Sequence, residues 1–184
     1  MNTRSAFPMH QRGATLIVSL VLLIVVTLLG VAGLRGVILQ ERMAANQYDR
    51  SLAFQTAEAA LRAGEAAALA QAQAAVPNSG FPAPTPNACP QSCQAGTGLC
   101  STPPAECVEP WSKQPAANWA NLSGSLGGLA GTPQYLVEYM GIGFPCTPGN
   151  PHSATTCKLY RVTARSALGD DRAQVTLQSM FTAP

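Results

Sequence analysis

Histidine is scarce in this chain of 184 residues: there are two, His10 and His152. Only His152 lies beyond the apolar N-terminal region, in a loop of Pro, Gly and Asn with no nucleophile identified beside it. A Ser-His-Asp or Cys-His constellation therefore lacks its members, and His152 reads as an exposed loop side chain. Charge is scarce as well, at 11% of residues, and there is none between Arg12 and Arg35. The formal net charge of +2 comes from Arg4 and Arg12; without them nine basic side chains face nine acidic ones. Such a balance excludes a strong electrostatic footprint for nucleic acid or anionic lipid. Proline is missing between Gly13 and Pro77, and cysteine is missing before Cys89.

What fills the first of these gaps is an apolar run, Gly13-Ala-Thr-Leu-Ile-Val-Ser-Leu-Val-Leu-Leu-Ile-Val-Val-Thr-Leu-Leu-Gly-Val-Ala-Gly-Leu34. As a helix rising 1.5 Å per residue, it is long enough to cross a hydrocarbon core of about 30 Å. The leader before it carries Arg4, His10 and Arg12 and no acid. Positive charge stays inside, so the N-terminus is expected in the cytoplasm and the rest of the chain on the other side of the membrane. A cleaved secretory signal would have an apolar run of about 7–15 residues followed by a small-x-small cut site. This run is longer, and helix-forming sequence follows it.

From Arg35 to Ala75 the chain is rich in Ala, Leu, Gln, Glu and Arg, which are strong helix formers. Tyr48, Leu52, Leu61 and Leu69, with Ala45 and Ala57, recur at threes and fours and predict the buried face of a helix. Glu58 and Arg62 stand four apart in the favourable order for a surface pair. The whole helix, Ala14 to about Ala75, would be on the order of 90 Å long. Pro77 ends it, and Asn78, Gly80, Pro82, Pro84, Pro86 and Pro90 impose an irregular path. Little regular structure is expected before Gly131, and Leu122 to Gly131 reads as a flexible connector.

All six cysteines, Cys89, Cys93, Cys100, Cys107, Cys146 and Cys157, lie beyond the apolar run. An even number there reads as disulfides in an oxidising compartment. Six cysteines allow 15 pairings. The pairing singled out is Cys146–Cys157, because strand-like segments lie just before and just after it. The spacing from Cys89 to Cys107 does not fit a structural zinc site, and neither a metal nor a cofactor is expected.

Three strand candidates close the chain: Tyr135–Met140, Leu159–Ser166 and Gln174–Phe181. In the second, Tyr160, Val162 and Ala164 share one side, and Arg161, Thr163 and Arg165 the other. In the third, Val175, Leu177 and Phe181 point inward. Leu168 to Arg172 is a turn. The expected fold class is α+β: a long N-terminal helix packed on a small C-terminal antiparallel sheet, with a disulfide-rich loop region between. The segments are a leader over 1–13, a transmembrane half-helix over 14–36, an amphipathic half-helix over 37–76 and a head over 77–184. Within the head, 77–131 are loops and 132–184 strands.

That order resembles the type IV pilin superfamily. Gln11-Arg-Gly-Ala-Thr-Leu-Ile-Val18 looks like a prepilin peptidase site, a basic leader ending in glycine directly before an apolar helix. The resemblance implies a cut between Gly13 and Ala14 and N-methylation of Ala14. Arg35-Gly-Val-Ile-Leu-Gln-Glu-Arg-Met-Ala-Ala-Asn46, followed by Asp49-Arg-Ser-Leu-Ala-Phe-Gln-Thr-Ala-Glu-Ala-Ala-Leu-Arg62, is similar to PilX-type minor pilins. The likeness covers about the first 65 residues. It implies an inner-membrane protein with a periplasmic head that later occupies the extracellular filament tip. The implied partners are other minor pilins, the major pilin, a tip adhesin and, as the enzyme acting on the chain, prepilin peptidase. Neither enzymatic activity nor nucleic-acid contact is expected, since the residues offer no nucleophile, no metal motif and no basic patch.

One departure stands out. Most pilins carry a glutamate at the fifth mature position, here Val18, where it pairs with the N-terminal amine of a neighbouring subunit. A first subunit at the tip has no predecessor to dock onto, so its absence implies filament initiation; the alternative is that Val18 is one more bilayer residue. Thr15, Ser19, Thr27, Gly30 and Gly33 offer small or hydroxyl side chains for close helix approach. Two competing readings remain, a type II secretion pseudopilin and an uncleaved single-pass protein with a disulfide-rich ligand-binding domain. A head of about 108 residues after Val76 is small for the first, and the second has no use for Gly13 at the apolar boundary.

Overall fold

The computed structural model describes residues 13–107, 110–123, 131–147, 149–150, 152, 154–169 and 172–184. The leader with Arg4, His10 and Arg12, most of the Leu122–Gly131 connector and the centre of the Leu168–Arg172 turn lie outside these residues. One helix, α1, spans Ala14–Ala72. Its residues up to Asn46 form one unit, and those from Gln47 belong to the compact head.

The expected end of the helix near Ala75 moves back to Ala72 because a polar cap takes over. Asn78 adopts a left-handed φ of 61° and donates its N–H to the Gln71 carbonyl at 2.9 Å. The Gln71 side-chain Oε1 accepts from Gly80 N at 3.0 Å. The Gln71 carbonyl at the helix end is thus met by an N–H that follows Pro77.

The head sheet contains β1 (Cys93–Gln94), β2 (Leu99–Cys100), β3 (Ala120–Asn121), β4 (Gln134–Phe144), β5 (Cys157–Arg165) and β6 (Thr176–Ala183). The order is β1-β2-β4-β5-β6, with β3 also on β4. β4, β5 and β6 form the antiparallel meander that alternation predicts. The disulfide-rich region adds three two-residue strands, and β2 runs parallel to β4, so the sheet as a whole is mixed. Strands of two residues carry no periodicity and could not be read from sequence. β4 also outruns its expected span because two register shifts, at Tyr139/Gly141 and Ile142/Phe144, carry it through Gly141 and Gly143.

The buried face of the helix differs from the expected leucine stripe. Ala53, Thr56, Ala57, Ala60, Ala68 and Ala72 are buried, and Gly64 lies on the same face. Leu52, Leu61 and Leu69 flank it half-buried, while Tyr48 is exposed. Small residues let the helix backbone approach the sheet closely. A Cβ at Gly64 would lie 2.5 Å from Cγ1 of Val162. The leucines then fill the margins of that contact.

The sheet buries both faces. On the helix side Val137, Tyr160 and Val162 form one core with Ala68, Ala72 and Ala183, and Phe81 and Phe181 pack against it. On the other side Leu136, Cys100 and Trp119 form a second core with Cys93 and Trp111. The loop region therefore acts as a second cover. This explains why Thr163, expected on the outer side, is fully buried. It also explains the buried cross-strand pair Glu138–Arg161, with Oε2 to Nε at 2.6 Å.

Candidate functional site

Two regions carry the features that could serve function: the apolar N-terminal helix and the disulfide-linked part of the head. Along the first, Leu16, Ile17, Val18 and Leu20 to Leu29 present exposed apolar side chains. The span has a mean hydropathy of 2.9 with none of it buried, compatible with a single-pass membrane anchor. Of the hydroxyls on this span, those of Ser19 and Thr27 are satisfied within the helix. Ser19 Oγ donates to the Leu16 carbonyl at 2.9 Å and Thr27 Oγ1 to the Ile24 carbonyl at 2.8 Å. They add polarity without an unmet donor.

At 3.6 residues per turn, Thr15, Ser19, Thr27, Gly30 and Gly33 fall within about one third of the helix circumference. No heavy atom lies within 4 Å of a Cβ placed on Gly30 or Gly33. This face is open to another helix. Val18 lies on the flank of that face and is 58% exposed. It offers no charge to an incoming amine.

In the head all six cysteines are paired: Cys89–Cys107, Cys93–Cys100 and Cys146–Cys157. Cys93 and Cys100 face each other across β1 and β2. The loops between them are organised by a buried glutamine that composition does not announce. Gln91 Oε1 accepts from Thr85 N at 2.8 Å and Ser101 Oγ at 3.2 Å. Its Nε2 donates to the carbonyls of Thr85 and Ala88, both at 2.8 Å. Its own carbonyl accepts from Gln114 Nε2 at 2.9 Å, and Gln114 Oε1 accepts from Asn118 Nδ2 at 2.8 Å. One buried side chain thus ties together four polar groups from three points of the loop region. The loop region is held by two disulfides and this network rather than by regular structure.

Two further contacts fix the loops to the core. Tyr160 OH reaches Asn78 Oδ1 at 2.5 Å, and burial, with the neighbouring Tyr139, pushes the Tyr160 phenol up to about 12 despite that bond. Arg165 stacks over Trp119 at 3.8 Å and donates from Nη2 to Gln134 Oε1 at 2.6 Å, its pKa lowered by burial. At the helix, Asp49 accepts from Ala173 N at 2.5 Å and from Arg172 Nε at 2.6 Å. The Ala173 N–H, followed by Arg172, holds the Asp49 carboxyl below its usual range.

His152 is exposed, its N–H bonded to Asn150 Oδ1 at 3.0 Å. Among the described residues no group of three His, Cys, Asp or Glu could hold a metal ion.

Comparison with known families agrees with this architecture. The family model PilX N-terminal matches residues 12–62, and Type IV pilus assembly protein PilX C-term matches residues 78–183. The chain belongs to the PilX family of type IV pilus proteins. The C-terminal match matters most, because the cysteine-rich region carries no resemblance legible in its residues and more than half of the chain lies inside that match. No curated protein and no solved structure matches the chain. PilX membership makes it a type IV pilus-associated minor pilin, a structural pilus component that works with other components of pilus assembly. The α+β fold, with its long helix and three disulfides, is pilin-like.

Proposed function

We propose that this minor pilin helps initiate pilus assembly and sits at or near the filament tip. Val18 carries the reading. At the position where most pilins place a docking carboxylate, an apolar side chain continues the apolar helix surface. Such a helix rests in lipid without the penalty of an unpaired charge. It packs sideways through Thr15, Ser19, Thr27, Gly30 and Gly33 and lacks the group that would tie it to a preceding subunit. A small cluster of such helices replaces lipid contacts and offers the major pilin a template to extend.

In this reading prepilin peptidase cuts between Gly13 and Ala14, and Ala14 is methylated. The N-terminus is cytoplasmic in the inner membrane, with the head periplasmic and later at the extracellular tip. The rigid face around Cys89–Cys107 and Cys93–Cys100 meets other minor pilins or a tip adhesin. Cells lacking the chain, complemented with wild type, Gly13→Ala or Val18→Glu, test this. Expected are few pili without the chain, no rescue by Gly13→Ala, and a wild-type mature mass beginning at N-methyl-Ala14. Gold-labelled wild-type protein should mark filament ends, while Val18→Glu admits the protein into shafts. Wild-type label spread along shafts, with pilus number unchanged by deletion, overturns the proposal.

A further inference from the structure

β6 leaves one edge of the sheet open, since it pairs only with β5. Every second residue of such a strand aims its N–H and C=O outward. Among the described residues, no backbone hydrogen bond from outside the sheet reaches Thr176–Ala183. Natural edges are guarded by brevity, charge, proline or a bulge. The opposite edge, β1, has two residues. β6 has eight, Thr176-Leu-Gln-Ser-Met-Phe-Thr-Ala183, with no charge and no proline. Its register with β5 runs unbroken from Lys158–Ala183 to Arg165–Thr176. Nothing in the strand opposes addition of another.

The surroundings say what kind of strand fits. Ser179 Oγ donates to Glu65 Oε1 on α1 at 2.8 Å, so the odd-numbered residues of β6 face the helix. On that side lies an open hollow of about 690 Å³ whose walls include Phe54, Val175 and Leu177, with Arg50 beside them. Phe54 is 48% exposed. Arg50 forms no ion pair among the described residues. We propose that β6 receives an extended strand from a partner polypeptide. That strand is uncharged where it pairs, sets an apolar side chain in the Phe54–Leu177 hollow, and places an Asp or Glu against Arg50. A second copy of β6 fits less well, because Thr176–Ala183 contains no acid to meet Arg50.

The proposal rests on the chain joining a pilus assembly, but not on its initiating one. The test uses the full chain in piliated cells, with photoreactive benzoylphenylalanine at Gln178 or Met180 and, as a control, at Thr155. Adducts are mapped by mass spectrometry whether or not pilus number falls on deletion. Expected at 178 and 180 is one segment of a different polypeptide, β-prone and neutral, with an acid at its end. Arg50→Glu should lower adduct yield up to about fivefold, the range of an exposed ion pair. Hydrogen exchange of the 176–183 amides should slow by about two- to tenfold in the assembled form relative to detergent-purified protein. Adducts only to a second copy of this chain overturn the stated partner. Adducts only to lipid, or none together with unchanged exchange, overturn strand addition itself.

Discussion

Gly64→Ala is the sharpest test of how the helix meets the sheet. In an open helix the change gains about 1 kcal/mol of helix propensity. Here the new Cβ would stand 2.5 Å from Cγ1 of Val162 and 3.2 Å from Cδ2 of Tyr135. Carbon atoms prefer about 3.5–4.0 Å, so the first overlap is about 1 Å. Val162 is fully buried, and its branched side chain is stiff at χ1. It cannot swing aside, and either α1 lifts or β5 shifts. Overpacking of this kind costs about 1–3 kcal/mol. The net expectation is a loss of up to about 2 kcal/mol and a melting temperature lower by up to about 8 °C, followed by near-ultraviolet circular dichroism of the full chain in detergent. Gly36→Ala is the control, since nothing lies within 4 Å of its Cβ and only propensity acts. The double change Gly64→Ala with Val162→Ala should be non-additive by about 1 kcal/mol or more, because the deleted methyls make room. A Gly64→Ala protein that melts no lower than Gly36→Ala would refute close helix–sheet approach as the reason for the small-residue stripe.

Gln91→Leu should remove the bonds to the Thr85 N–H and to the Thr85 and Ala88 carbonyls and loosen the loops by about 2–3 kcal/mol, seen as faster exchange of amides 85–92 with the amides of β4, β5 and β6 unchanged. Tyr160 should ionise at about 12 in an absorbance titration. Because the folded value lies above the unfolded one, the stability it contributes is complete below about 10 and is lost as pH rises toward 12. Tyr160→Phe removes that alkaline loss and gives up the Asn78 hydrogen bond. Asp49 has a lowered folded pKa, so its contribution is present above the ordinary carboxylate range and fades as pH falls below it. Protection of the Ala173 amide, the intrinsic exchange rate over the observed one at each pH, should fall on acidification, and Asp49→Asn should flatten that dependence.

The amino-acid sequence determines this protein wherever one physical demand acts on contiguous residues. A bilayer requires an unbroken apolar run, which fixes Ala14 to Leu34 as a helix and sets Gly13 at its boundary. Alternation reveals β5 and β6, because the face of each that meets the helix takes its apolar residues from every second position. The family likeness rests on Gln11 to Val18 and on Arg35 to Arg62. Tertiary structure decided the rest, where the deciding contacts come from residues far apart in the chain. The buried helix face fell to alanines and Gly64 because only the facing Val162 makes small size necessary; by hydrophobicity alone the leucines carry more weight. Thr163 is buried because Trp119 and the cystine loops cover the second face of the sheet. The two-residue strands exist because Cys93–Cys100 and the Gln91 network bring them to β4, and no periodicity can foretell a pairing that short. The Cys146–Cys157 pairing is legible from the strands that flank it. How Cys89, Cys93, Cys100 and Cys107 join, and that β6 is left with an open edge, are properties of the folded chain, since both depend on what stands beside a residue in space rather than in sequence.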